Sequence, residues 1–351
     1  MTAHAASNGV QVIGGDTSAA EAWRGVVSVL DESRLAHSVE WATIIRQAYG
    51  HRPIYLAADD ATGGAGVLPA VIVRRPLLGT VVTSMPFLDG GGPCSSSEAL
   101  SDALVARLMG EAVRAGAGSV ELRCARRLNL DAQPAEHKVM LTLSLPSNAD
   151  DLWGRLDRSV RNQIRKAERS GLTIESGGVE HLAPFYDTFA ARMRDLGSPV
   201  HAAGFLRAVM GAFGSRARVV LVRKGRTTVG GLIAIAFKDT ISVPWASCLK
   251  EYFALCPNML LYWDTIRAAC ADGVREFDFG RSSRGSGTYR FKRQWGSTET
   301  PLFWYTIPVN GHRPPAATGG RAAECFAEVW RRLPLSLTRR LGPGIRRYLT
   351  Q

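Results

Sequence analysis

The stretch "FDFGRSSRGSGTYRFKRQWGS", Phe277 to Ser297, gathers more residues capable of chemistry than any other part of the chain. A single lysine, Lys292, stands between Phe291 and Arg293. Held in a cleft, its ammonium stays charged near the reference pKa of about 10.4. It can then stabilise a developing oxyanion, an effect worth about 3–4 kcal/mol in hydrolases. The competing reading is a solvated strand lysine. In a strand, Tyr289, Phe291, Arg293 and Trp295 share one face, and Arg290, Lys292 and Gln294 the other. Upstream, Gly280, Gly285 and Gly287 alternate with Ser282, Ser283, Ser286 and Thr288. Such a loop offers backbone N–H groups and hydroxyls to an anionic or carbonyl-bearing ligand, with Arg281 and Arg284 adding charge. An ordinary surface loop has the same composition. Asp278, at the loop's entrance, is a candidate base.

A second candidate is "PFLDGGGP", Pro86 to Pro93. Three consecutive glycines, Gly91 central among them, let a ligand approach the backbone, and Asp89 could orient an acceptor amine or act as base. A tight turn fits equally well. Other chemistries lack their signatures. Asp278-Phe279-Gly280 has the letters of a kinase magnesium motif, but no HRD loop or Walker lysine accompanies it. There is no G-x-S-x-G elbow and no persuasive Cys–His pairing, and the six cysteines and seven histidines form no metal-like cluster. If the protein is a transferase, direct attack of an acceptor amine on a bound acyl donor is the simpler scheme.

These residues need elements to hold them, and the elements repeat. "LVARLMGEAVRAGAGSVEL" from Leu104 aligns without a gap to "LYWDTIRAACADGVREFDF" from Leu261, a constant offset of 157. Leu104, Val105, Leu108, Met109, Ala112 and Val113 mark one buried helical stripe; Leu261, Tyr262, Thr265, Ile266, Ala269 and Cys270 mark the other. Gly116 and Gly273 fall where a helix end needs positive φ, and Val120–Leu122 and Phe277–Phe279 follow as strands. Before each helix come short β runs joined by Gly/Asp turns, which read as antiparallel meanders. The duplication predicts two α/β (α+β) domains, 1–148 and 149–308, with a basic tail, 309–351. A linking helix is predicted from Asp150 to Gly171. Leu152, Leu156, Val160 and Ile164 line one face of it; Arg158, Arg161, Arg165 and Arg169 form a stripe opposite. That stripe fits a phosphate track, and equally a helix whose basic end suits its dipole.

The net charge of +12 points to a polyanionic partner. Half of that excess sits from Val309 onward, in eight arginines against two glutamates. The tail "WRRLPLSLTRRLGPGIRRYL" mixes Trp, Leu and Arg in short pieces broken by proline. Peripheral contact with an anionic membrane is one expectation for it; packing back on the first domain is the favoured one. The thiols are expected to be reduced. The N-terminus shows no secretory features and no apolar run reaches membrane-spanning length, so a cytoplasmic protein is expected.

The chain resembles the FemAB-like aminoacyltransferases of the GNAT superfamily, and within them the exosortase/PEP-CTERM-associated subgroup. The resemblance is carried by "AYGHRPIYL", "GVLPAVIV", "MPFLDGGG", "SVRNQIRKAERSGL", "MRDLGSPV", "PNMLLYWDTIRAACADGVREFDFGRSSRGSGTYRFKRQWGS" and "WRRLPLSLTRRLGPG", in order from about residue 40. It implies two tandem GNAT-like domains with mixed, mostly antiparallel sheets flanked by helices. It implies that Phe291-Lys292 supports catalysis and contacts the donor end. Arg281, Ser282, Gly287, Thr288 and Tyr289 would help shape the cleft. The implied activity moves an amino acid from aminoacyl-tRNA, with no bound cofactor or metal, to a cell-envelope or exopolysaccharide precursor or a small molecule. The R/Q-x-x-G-x-G/A loop of acyl-CoA-dependent GNAT enzymes is not recognisable, which ranks acyl-CoA second as donor. A non-enzymatic scaffold of a polysaccharide assembly complex is the remaining alternative.

Overall fold

The computed structural model of the 351-residue chain describes residues 10–13, 17–76, 78–311 and 320–350. The chain divides into two compact units. The first takes the described residues within 1–136, 301–315 and 350–351, the second those within 137–300 and 316–349.

The first unit opens with β1 (Gln11–Ile13), α1 (Thr17–Val29) and α2 (Glu40–Tyr49), then β2 (Arg52–Asp59), β3 (Ala65–Arg75) and β4 (Gly79–Thr83). The short β5 (Cys94–Ser95), α3 (Glu98–Arg114) and β6 (Ser119–Cys124) follow. β2, β3 and β4 pair antiparallel, and β6 returns parallel to β4. Leu100, Leu104, Leu108 and Ala112 of α3 are fully buried against Leu56, Leu68 and Ile72. The β2–β3 turn is tied by the Asp60 carboxylate, which accepts from the N–H groups of Thr62 and Gly64. The hydrogen bond from the Thr62 hydroxyl, followed by these two backbone bonds, holds its pKa below the usual range.

The second unit contains β7 (Ala135–Ser144), α4 (Ala149–Arg155), α5 (Arg158–Arg169), β8 (Leu172–Gly177), α6 (Leu182–Asp195) and α7 (Ala203–Phe213). Next come β9 (Ala217–Lys224), β10 (Thr227–Phe237), β11 (Thr240–Cys248), α8 (Pro257–Ala271), β12 (Glu276–Ser283) and α9 (Gly287–Arg293). β13 (Thr298–Pro308) carries the chain back to pair with β6, and α10 (Arg321–Arg332) and α11 (Leu335–Arg346) close the unit. β9, β10 and β11 pair antiparallel, and β12 returns parallel to β11. The second unit thus repeats the first: three-stranded meander, helix, parallel strand. The repeat seen in the sequence is a repeat of topology, because parallel neighbours require a crossover and the amphipathic helix supplies it. β6 and β12 begin 157 residues apart, at Ser119 and Glu276. Gly116 (φ 63°) and Gly273 (φ 73°) end the two helices in the left-handed conformation.

Three expectations are corrected. The boundary between units falls before His137, not at 148/149, because β7 pairs antiparallel with β12. The linking helix is two helices. Leu156 turns extended (ψ 141°) to bury its side chain in the second core, and Asp157 starts α5 afresh. The tail forms α10 and α11, separated at Pro334, and both pack on α6 and belong to the second unit, not to the first as expected. Trp330, Thr338 and Gly342 are their buried residues. No helix among the described residues is long and apolar enough to cross a membrane.

Candidate active site

The site is built where β11 and β12 part. They pair only from Thr240 to Ser242 and from Glu276 to Asp278; beyond that no ladder joins them, although β11 runs to Cys248 and β12 to Ser283. Gly280, at φ 71°, turns the backbone, and the register of β12 against β7 shifts between Asp278 and Arg281. Asp278 Oδ1 accepts from the Gly280 N–H at 2.7 Å, and Oδ2 from Ser242 Oγ at 3.3 Å.

Lys292 reaches this point from a helix, not from the expected strand. Ser286 caps α9, its Oγ accepting from the Tyr289 N–H, and this local bond outweighs the alternating pattern of "TYRFKR". Phe291 then packs edge-on against Tyr262 in the second core, with ring centroids 5.0 Å apart. Lys292 is 9 % exposed, and its ammonium donates to the carbonyls of Gly280 (3.1 Å) and Arg281 (2.7 Å). A buried cation is tolerated because backbone carbonyl dipoles replace its hydration.

The loop residues find one another around this lysine. The Ser282 hydroxyl approaches Thr288 Oγ1 at 3.4 Å, and Thr288 Oγ1 lies 3.0 Å from Ser286 Oγ. Gly287 opens α9. Tyr289 donates its hydroxyl to Glu299 at 2.6 Å, and Arg284 pairs with the other carboxylate oxygen at 3.2 Å. The carboxylate raises the Tyr289 pKa, and the same hydrogen bond followed by Arg284 lowers that of Glu299. His137 on β7 is driven below its ordinary range by burial and then by the charges of Lys138 and Arg281. Glu299, Ser242 and His137 were not singled out in the sequence; strand pairing brings them here, and no local motif marks them. Beside the last turn of α9 a cavity of about 340 Å³ is lined by residues including Arg155, Asp157, Arg293 and Trp295. The buried indole N–H of Trp295 has no acceptor among the described residues.

Arg158, Arg165 and Arg169 are exposed on α5 and Arg161 half-buried, none in an ion pair among the described residues; Arg165 lies over the Trp153 ring at 5.4 Å. Asp89 and Gly91 belong to the first unit. There the chain after β4 lies along β6 itself. The Ser84 N–H donates to the Glu121 carbonyl, the Arg123 N–H to Ser84 Oγ and the Gly92 N–H to the Arg123 carbonyl, all within 2.9 Å. A side chain at Gly91 would press on Met85, and one at Gly92 on Cys124. The glycines therefore serve the protein's own packing. The Thr350 carbonyl accepts from the Phe87 N–H and its hydroxyl donates to Glu121, closing the same edge. One unit fills the gap between its parallel strands with a loop; the other leaves it to the lysine.

Residues 154–293 match the family described as acetyltransferase (GNAT) domain. No curated protein matches the chain at a significant level. Among solved structures, FemX superposes with a TM-score of 0.65 at 14% identity, over 82% of this chain and 96% of that one. A tandem GNAT protein from the clavulanic acid biosynthesis pathway gives 0.53 at 10%, over 87% and 100%. The C-terminal domain of a putative lysylphosphatidylglycerol synthetase from Agrobacterium fabrum also gives 0.53 at 10%, over 88% and 94%. The molecule is a mixed α/β protein of the tandem GNAT-like fold, and its second unit carries the stretch that matches the acetyltransferase (GNAT) domain. The split strands and Lys292 lie within the matched domain.

Proposed function

We propose that the second unit forms an amide by moving an aminoacyl group from aminoacyl-tRNA to an amine on a cell-envelope or exopolysaccharide precursor, and that the chain falls in the PEP-CTERM-associated FemAB subgroup. The carrying observation is the ammonium of Lys292, fixed by two carbonyls where β11 and β12 separate. The acceptor nitrogen attacks the ester carbonyl carbon and a C–N bond forms. The carbonyl oxygen takes the electron pair as an oxyanion, and the ester C–O bond then breaks. The proton lost by nitrogen goes to the departing ribose oxygen. Lys292 balances the oxyanion. Asp278, with both oxygens engaged, positions Gly280 and through it the lysine; an acceptor amine that arrives deprotonated needs no further base. Phe291, Arg281, Ser282, Gly287, Thr288 and Tyr289 surround the acyl group, and the α5 arginines take the phosphates of the RNA. Superposition on FemX and on a domain of a putative lysylphosphatidylglycerol synthetase supports aminoacyl transfer.

The test is single-turnover transfer from charged tRNA. Lys292→Ala is expected to slow it by about 10²–10³-fold with RNA binding unchanged, and Lys292→Arg to recover part of the rate. A folded Lys292→Ala protein transferring at the wild-type rate would end the assignment. Replacing Arg161 and Arg165 by Ala should flatten the salt dependence of RNA binding, by roughly one power of salt concentration for each phosphate no longer neutralised.

A second proposal keeps the fold and uses acyl-CoA. The acetyltransferase description of the matched domain favours it, as do the unladdered strand ends, which can pair with an extended amide-bearing arm. Displacement of a bound fluorescent acyl-CoA by coenzyme A but not by tRNA would decide for it.

A further inference from the structure

Ten large apolar side chains are exposed among the described residues, and six lie together in one region of the second unit: Leu196, Phe253, Phe326, Val329, Leu337 and Leu341. Three observations join them. α10 and α11 both pack on α6, at whose end Leu196 stands. A side chain at Gly197 would lie 2.7 Å from Ala327 of α10, so this end of α6 abuts the helix carrying Phe326 and Val329. Arg192 of α6 sits over the Phe253 ring at 5.1 Å. On α11, Leu337, Arg340 and Leu341 follow i, i+3, i+4 spacing and are exposed, while Thr338 and Gly342 are buried, Gly342 against Val200. The helix is thus held firmly by one side with its leucines facing out. Folded proteins seldom leave apolar residues gathered in this way without a partner.

Charge selects the partner. Residues 321–347 carry seven arginines against two glutamates. Glu328 is shared by Arg331 and Arg332, Arg339 is paired with Asp187, and Arg340 has no ion-pair partner among the described residues. A second copy docking on the same face would set this positive surplus against itself. An anionic bilayer accepts both features, with the apolar side chains entering the acyl boundary while the guanidinium groups remain among phosphates. We propose that α10, α11 and the adjoining end of α6 form a docking surface for an anionic phospholipid bilayer. This stands apart from the transfer reaction and is read without any assay of activity.

The experiment is co-sedimentation of the full chain with vesicles of phosphatidylglycerol mixed into phosphatidylcholine, against vesicles of phosphatidylcholine alone. Binding is expected only to the anionic vesicles, and to weaken as salt is raised above about 0.1 M. Because Leu337 and Leu341 are exposed, Leu337→Asp with Leu341→Asp should leave the thermal unfolding midpoint unchanged while lowering vesicle affinity at least tenfold. Arg340→Glu should lower it roughly fivefold or more, the effect of one basic residue at an anionic surface. No binding to anionic vesicles overturns the proposal, as does equal binding to neutral ones. Loss on Arg340→Glu with none on the leucine substitutions would mark a site for soluble polyanions such as RNA, and overturns it too. So would a concentration-dependent dimer, seen by sedimentation velocity without lipid, that the leucine substitutions abolish.

Discussion

The backbone of Gly280 is gripped on both sides of its Cα, its N–H by Asp278 and its carbonyl by Lys292. With φ at 71°, it occupies a conformation that costs an L-residue about 1–2 kcal/mol. A Cβ there would find space, its nearest neighbours being the Val243 carbonyl at 3.9 Å and Lys292 Nζ at 4.0 Å. Gly280→Ala is therefore expected to fold with about that loss of stability in urea titration. Backbone strain, rather than collision, is the cause. If the residue instead relaxes toward negative φ, its carbonyl swings away from the lysine. Transfer would then fall along with stability, and the drop in rate would exceed what the unfolded fraction explains. A stability loss below a few tenths of a kcal/mol would show that the left-handed turn is not required. None of this could be read from the motif alone. The sequence marks Lys292 as a lone cation among aromatic residues, but its partners are backbone carbonyls, and their placement depends on where two strands stop pairing.

Elements differ in how far local pattern determines them. α3 and α8 were legible because their buried positions keep helical spacing and a glycine ends each helix. α9 was not: "TYRFKR" alternates like a strand, and one capping bond from Ser286 decides for a seven-residue helix. β7 was equally opaque as a member of the second unit, since its partner β12 lies more than 130 residues away in the chain. α11 was obscured by Pro343, which sits inside it. Among the contacts that dock α11 is buried His201, whose Nε2 lies 3.1 Å from Arg346 Nε. Since an arginine can only donate, the ring must offer a lone pair there and carry its proton on Nδ1. Burial, and then the Arg346 charge, hold the His201 pKa well below 6.5. The sign follows: below about pH 6.5 the unfolded chain takes a proton that the folded state refuses. Stability is complete above that pH and declines as pH falls toward the folded pKa, by at most about 1.4 kcal/mol per unit. His201→Asn should remove this slope between pH 6.5 and 5, checked by denaturant midpoints across pH. A slope equal to that of the wild type would place the titration on another histidine.

At the scale of the whole molecule, the two units are interleaved in sequence. β13 leaves the second unit to pair with β6 in the first, and Thr350 follows after α10 and α11 have packed in the second. The two units share one topology and differ at one place: one gap between parallel strands is closed by the 84–92 loop, the other holds a lysine. Interleaving also means that cutting at the boundary suggested by the repeat, 148/149, should fail for a definite reason. It removes β7, whose Val139, Leu141 and Leu143 belong to the second core and whose backbone pairs with Arg281–Ser283. The severed β12 would expose an unpaired edge carrying Phe277 and Phe279, side chains now fully buried. Losing three buried aliphatic side chains costs roughly 5–9 kcal/mol at about 1.5–3 each, comparable to the whole stability of a domain. A protein spanning 149–351 is therefore expected to aggregate or unfold, while one spanning 133–351 keeps β7, loses like the other only β6 as the partner of β13, and is expected to give the more cooperative transition. Circular dichroism melts of the two fragments provide the check. Equal, cooperative unfolding of both would mean that β7 contributes little to the second unit and that the duplication boundary, not the strand pairing, defines the folding unit.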